Sequence, residues 1–111
     1  MNLKTEECEP CRTGAVAVSE ADAQALMGQL PHWNIVTHQG MKTLQREFSF
    51  PNFLAALAFT NQVGALAEQY DHHPALLTEW GKVTVSWWTH TLAGLHRNDF
   101  ILAAKTDALF G

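Results

Sequence analysis

Between Asn52 and Tyr70 the chain carries no proline and is rich in alanine and leucine, so this stretch has to be a helix around which the rest packs. Pro51 at its head suits the first turn of a helix. On a helical wheel Phe59, Val63, Leu66 and Tyr70 form one apolar stripe, while Phe53 and Leu57 carry apolar surface round to a second side. A helix apolar on two sides needs two neighbours. A sheet can cover one of them and a contact between subunits the other, so a homo-oligomer is expected. With 111 residues there is room for one domain and no second core.

The flanking segments supply the sheet. Ser19-Glu20-Ala21-Asp22 has the form of a capping box, and Ala23, Leu26, Met27 and Leu30 follow at helical spacing until Pro31, which predicts a helix over Ser19–Leu30. Trp33-Asn34-Ile35-Val36 and Lys42–Phe50 read as two strands joined by a polar turn at His38-Gln39-Gly40. In the second strand Leu44, Arg46, Phe48 and Phe50 share one side and Thr43, Gln45, Glu47 and Ser49 the other, the alternation of a strand with one buried face. Pro74 biases His73 away from helical angles, so the long helix ends just before it. Ala75-Leu76-Leu77, leading to Trp80, and Val83–Trp88 form a second hairpin turned by Gly81 and Lys82. A last helix begins at Asn98 as cap, with Asp99 in its first turn. The order αββαββα is an α+β fold, an antiparallel sheet with helices packed on one face. Residues 19–111 form the domain, and residues 1–18 are read as a flexible N-terminal arm.

A net charge of −4, with seven scattered basic residues, gives no electrostatic footprint for a phosphate backbone, so direct nucleic-acid binding is not expected. The acidic N-terminus lacks an apolar core, and no run approaches the roughly 20 apolar residues that cross a bilayer. A cytoplasmic protein with no membrane contact follows as the expectation. Cys8 and Cys11, followed by Arg12, have C-x-x-C spacing, but the strand-to-helix context of a redox pair is missing. Adding His32 and His38 would complete a four-ligand zinc site, but the interval after Cys11 is longer than in a zinc finger and contains a helix, so a reduced pair without metal is expected.

The chemistry-bearing residues concentrate in the second half: Glu68, Asp71, His72, His73, His90 and Asp99. Imidazoles give and take protons near neutral pH, and Asp71 or Glu68 could orient a ring and stabilise its protonated form. Thr89 and Thr91 flank His90 and can hydrogen-bond a ring nitrogen or a ligand. Each histidine taken alone is as well explained as a surface or satisfied core residue, and histidine with carboxylate is also a metal-ligand set. The second half has no H-x-x-x-H on a helix and no cysteine, so no metal is expected there. Trp80, Trp87 and Trp88 fill core or wall a flat heterocycle; Trp87 and Trp88 face opposite sides of their strand, so at most one is core.

Glu68-Gln69-Tyr70-Asp71-His72-His73-Pro74, followed by Trp80, His90 and Asp99, resembles the signature of the pterin-4a-carbinolamine dehydratases. Leu76–Val85, Trp87-Trp88, Gly94–Phe100 and the Cys8-x-x-Cys11-Arg12 arm look like the bacterial branch that accompanies phenylalanine hydroxylase. The resemblance implies a four-stranded antiparallel sheet with helices on one face, assembled as a homodimer or homotetramer. It implies dehydration of 4a-hydroxytetrahydropterin to quinonoid dihydropterin and water, with a functional link to phenylalanine hydroxylase and with no cofactor besides the pterin substrate. Carried over, His72, His73 and His90 are catalytic, Asp71, Trp88, Thr89 and Thr91 join them in lining the pterin pocket, and Glu68, Pro74 and Asp99 support them. Within that set His72 and His90 transfer protons and His73 binds and orients the pterin. Trp88 and Thr91 depart from the small hydroxyl residue and carboxylate that many relatives place beside the strand-end histidine. The alternative reading is a protein-interaction role of the dimerisation-cofactor type, using the outer side of the long helix.

Overall fold

The computed structural model describes residues 2–8, 17–92 and 94–111. Helix α1 (Glu20–Met27) is followed by strands β1 (Asn34–His38) and β2 (Met41–Ser49), helix α2 (Phe53–Tyr70), strands β3 (Ala75–Glu79) and β4 (Lys82–Trp87), and helix α3 (Arg97–Phe110). Both hairpins expected from the sequence are present, and β2 pairs with β4 to join them into one antiparallel sheet of order β1-β2-β4-β3. The register sets Leu44 opposite Trp87, Phe48 opposite Val83 and Leu76 opposite Val85, so large apolar side chains share the face on which α2 and α3 pack. The fold is α+β with helices on one face, as the element order implies.

Local chemistry explains the boundaries. Ser19 caps α1 by accepting from the Asp22 backbone N–H at 3.1 Å. That helix stops at Met27, short of Leu30, because the backbone of Gly28, Gln29 and Leu30 bonds back to Ala25, Leu26 and Met27, tightening the chain into i→i−3 turns that deliver Leu30 into the core. Asn52, not Pro51, heads α2: its side chain accepts from Ala55 N at 2.8 Å, leaving Pro51 outside the first turn. The first hairpin turns on Gln39 and Gly40, both at positive φ (52° and 80°), the conformation of a two-residue turn matched to strand twist.

The core joins Trp33, Leu44, Phe48, Phe59, Val63, Val85, Trp87 and Phe100. Phe48 and Phe59 lie 4.8 Å apart, and Phe110 packs on both. Arg46 shares the helix-facing side of β2 with these rings, and its charge is satisfied there. Its guanidinium lies 4.1 Å from the Phe48 ring centre and donates to Asp107 Oδ1 at 2.6 Å, and the Trp33 indole N–H donates to the same oxygen at 2.8 Å. Trp87 is core, its indole N–H donating to Thr106, whereas Trp80 is 75% exposed at the tip of the second hairpin. On α2 the buried residues are Ala56, Phe59, Val63 and Ala67, while Phe53, Leu54 and Leu57 are exposed, so the second apolar side expected from the helical wheel faces outward.

Residues 2–8, the described start of the segment read from the sequence as an N-terminal arm, pack against the domain. Leu3 is fully buried beside α3, and its backbone N–H donates to Gln29 Oε1 at 3.0 Å. Cys11, the second cysteine of the C-x-x-C, lies outside the described residues. Of the other members of the four-ligand set, Cys8 is half-buried and His32 and His38 are exposed. Replacing Leu3 by alanine removes a buried aliphatic side chain and should cost about 2–3 kcal/mol, measured by urea denaturation. Wild-type stability in that variant would show that residues 2–8 do not dock.

Candidate active site

The site forms where the C-terminus of α2, the end of β4 and the start of α3 converge. Helix α2 ends because Asp71 takes the left-handed conformation (φ 50°, ψ 45°), which aspartate tolerates better than most side chains. The Asp71 backbone N–H bonds the carbonyls of Ala67 and Glu68, and that of His72 bonds Ala67 at 3.1 Å. The helix end is thus closed two residues ahead of Pro74, and the reversal separates the adjacent histidines. His72 turns inward and is 8% exposed, while His73 turns outward and is about half exposed.

Asp99 meets His72 from the other side. It is 0% exposed and three groups point at its carboxylate: His72 Nε2 at 2.7 Å on Oδ1, and the Thr89 hydroxyl at 2.7 Å and the His96 backbone N–H at 2.9 Å on Oδ2. An ionised carboxylate only accepts, so the His72 ring donates through Nε2. The same rule settles the other two rings. His73 Nε2 is 2.5 Å from Glu68 Oε2, and His90 Nε2 donates to the His73 backbone carbonyl at 3.2 Å. His90 opens the short helical turn His90–Leu92, held beneath by paired backbone bonds between Thr89 and Gly94. Its ring stacks on Trp88, centres 4.6 Å apart and planes 18° from parallel.

Asp71, His72, His73, Thr89, His90 and Thr91 together line an open cleft of about 220 Å³. The structure brings these six sequence candidates to one place. Trp88 is beside the cleft but supports His90 from behind, and Thr89 spends its hydroxyl on Asp99. Glu68 orients His73, as expected; for His72 that task falls to Asp99, not Asp71. Trp80 stands at the far end of the β3–β4 hairpin and contributes nothing to the cleft.

The residue missed by sequence reasoning is His96. It, and not Asn98, caps α3: its Nδ1 accepts from the Asn98 backbone N–H at 3.0 Å while Asp99 accepts from its own N–H, a complete capping box. The His-x-x-Asp spacing carried that signal, but histidine is not among the usual capping residues. Asn98 is buried inside the first turn. Among the described residues no group of three or more His, Cys, Asp or Glu side chains is arranged to hold a metal ion.

The family model for pterin 4 alpha carbinolamine dehydratase matches residues 16–109. A Nitrosococcus oceani protein carrying the provisional name pterin-4-alpha-carbinolamine dehydratase is 55% identical over 108 residues, covering 97% of this chain and 96% of its own length. A Microcystis aeruginosa protein with the same provisional name is 50% identical over 108 residues, covering 97% and 93%. In structure, a transcriptional coactivator/pterin dehydratase from Brucella melitensis superposes with a TM-score of 0.78 at 28% identity, over 86% of this chain and 100% of that one. A pterin dehydratase-like protein identified as a RuBisCO assembly factor in the alpha-carboxysome gives a TM-score of 0.60 at 25% identity, over 71% and 89%. With a family match from residue 16 to residue 109 and relatives of about half-identical sequence along nearly the whole length, this chain belongs to the pterin 4 alpha carbinolamine dehydratase family.

Proposed function

We propose that the protein dehydrates 4a-hydroxytetrahydropterin to quinonoid dihydropterin, in the recycling of tetrahydropterin for aromatic amino acid hydroxylation. The observation that carries this reading is the buried His72–Asp99 pair at the floor of a cleft that also presents His73 and His90. In the reaction the C4a–O bond breaks with its electron pair and the hydroxyl leaves as water. The N–H electrons of the adjacent ring nitrogen form the new C=N bond, and that nitrogen's proton goes to a base. One imidazolium supplies the first proton and one neutral imidazole takes the second, so the oxidation state is unchanged and no redox cofactor takes part.

His72 and His90 carry the proton transfers and His73, held by Glu68, binds and orients the pterin. Asp99, buried and 2.7 Å from His72 Nε2, fixes the orientation and tautomer of that ring. Asp71 and Thr91 supply polar groups at the mouth of the cleft. We place this reaction in the cytoplasm, on a free pterin; among the described residues no helix is long and apolar enough to cross a membrane.

A second reading has its own observation. The outward apolar side of α2, with Leu54 76% exposed and Phe53 and Leu57 beside it, fits burial against another copy of the chain, a homodimer or homotetramer. Such a surface would also serve an interaction role of the kind named for the two solved relatives.

In an assay coupled to a phenylalanine hydroxylase and followed by ultraviolet absorbance, the wild-type protein should accelerate loss of the 4a-hydroxy intermediate. His72→Ala and His90→Ala should each lower the rate about 10²-fold or more while remaining folded. Near-normal turnover in either folded variant would remove that histidine from the mechanism. Asp99→Asn keeps the shape but deletes the charge facing His72, and a loss of kcat of about 10-fold or more is expected, with circular dichroism confirming the fold. Leu54→Glu combined with Leu57→Glu should convert an oligomer to monomers in sedimentation velocity; an unchanged sedimentation coefficient would place any subunit contact elsewhere.

A further inference from the structure

We propose that the N-terminal segment is a strap that positions the His72–Asp99 pair by tying the end of α2 to the start of α3. Two neighbouring residues make the ties. Glu6 grips Arg97, the first residue of α3, with two bonds: Nε to Oε1 at 3.0 Å and Nη2 to Oε2 at 2.8 Å. Glu7 accepts from the hydroxyl of Tyr70, the last residue of α2, at 2.6 Å. Arg97 lies two residues before Asp99, and Tyr70 two residues before His72, so each tie is fastened next to one member of the pair.

Three features make this more than a surface contact. Leu3 is fully buried and anchors the segment in the core, with its N–H on Gln29 and with Lys105 Nζ on the Lys4 carbonyl at 2.9 Å. Arg97 sits at the positive end of the α3 dipole, where a cation is unfavourable, and the Glu6 carboxylate offsets it in the turn that carries Asp99. A two-bond carboxylate–guanidinium fork also fixes orientation as well as distance. The hydrogen bond from Arg97 holds the Glu6 carboxyl below its ordinary value of 4.5. The tie is therefore complete above that pH and is lost as pH falls through the lower, folded value. The hydrogen bond to Glu7 pushes the Tyr70 phenol up to about 12, so this tie persists through the neutral range.

Glu6, Glu7, Arg97 and Tyr70 are thus positioning residues, acting through His72 and Asp99 without touching the pterin; their kinetic effect rests on the dehydratase reading above. The test compares the full-length protein with Glu6→Ala, Tyr70→Phe, the combined variant, and the exchange Glu6→Arg with Arg97→Glu. Two readouts are taken: kcat and KM for the dehydration, and the solvent exchange of the His72 Nε2 proton by nuclear magnetic resonance. The combined variant should lose roughly 10-fold in kcat with KM within about twofold, because small misplacements of catalytic groups slow the chemical step. Its His72 ring proton should exchange faster, and the charge exchange should restore the Glu6→Ala share of both effects. Wild-type kcat and an equally protected ring proton in the combined variant would overturn the strap even if its melting temperature falls. If the wild-type protein shows no dehydratase activity yet the ring proton still becomes labile in the variant, the enzyme reading fails and the strap stands. Tyr70→Phe, which removes one hydroxyl, keeps the test readable should the combined variant fail to fold.

Discussion

A fully buried carboxylate can be tolerated only if the groups around it replace its hydration, and the whole site follows from how Asp99 meets that demand. Its three donors come from three parts of the chain: the ring of His72 just after α2, the hydroxyl of Thr89 just after β4, and the backbone N–H of His96 at the head of α3. Removing any one would leave part of the charge unpaired in the interior. The carboxylate is at once the capping residue of a helix, the link between a helix end and a strand end, and the counter-charge of a histidine. Helix capping, the link between α2 and β4, and the contact with the His72 ring therefore share a single acceptor.

The sheet makes that convergence inevitable. With β4 in the interior of the order β1-β2-β4-β3 and antiparallel to β3, the end of β4 lies beside the start of β3. Ala75 pairs with Ser86, so His73, just ahead of β3, and His90, just beyond β4, are brought to the same edge of the sheet. Their contact through the His73 carbonyl and His90 Nε2 is the continuation of that pairing by other means. Helix α2, packed across β3 and β4, delivers its own C-terminus to the same corner.

The elements were legible because their patterns are strong: the Asn52–Tyr70 run, the alternation over Leu44–Phe50 and the β-formers of Val83–Trp87 each admit one period. The end of α2 was legible from Pro74, although the residue that turns the chain is Asp71. Less was legible wherever tertiary contact overrides local preference. Leu3 is one apolar residue in a polar segment, and only its seat beside α3 makes it core. His96 takes a cap that propensity would give to Asn98, because the Asp99 carboxylate is already committed to its backbone N–H. For the site, spacing could name the histidines but could not show that they meet, and it could not choose among Glu68, Asp71 and Asp99 as the partner of His72. That choice depends on the packing of α3 against the sheet, which brings residues 27 positions apart to 2.7 Å.

The three cleft histidines share one feature that bears on how they work. Each has Nε2 facing an oxygen that accepts: the Asp99 carboxylate, the Glu68 carboxylate and the His73 carbonyl. In the neutral form each ring then keeps its proton on Nε2 and its lone pair on Nδ1. Nε2 of each ring is thereby committed to the protein frame. The partners differ, from a buried carboxylate to an exposed carboxylate to a neutral carbonyl. The fold thus presents three chemically identical rings in one tautomeric setting and distinguishes them only by the oxygen that stands behind each.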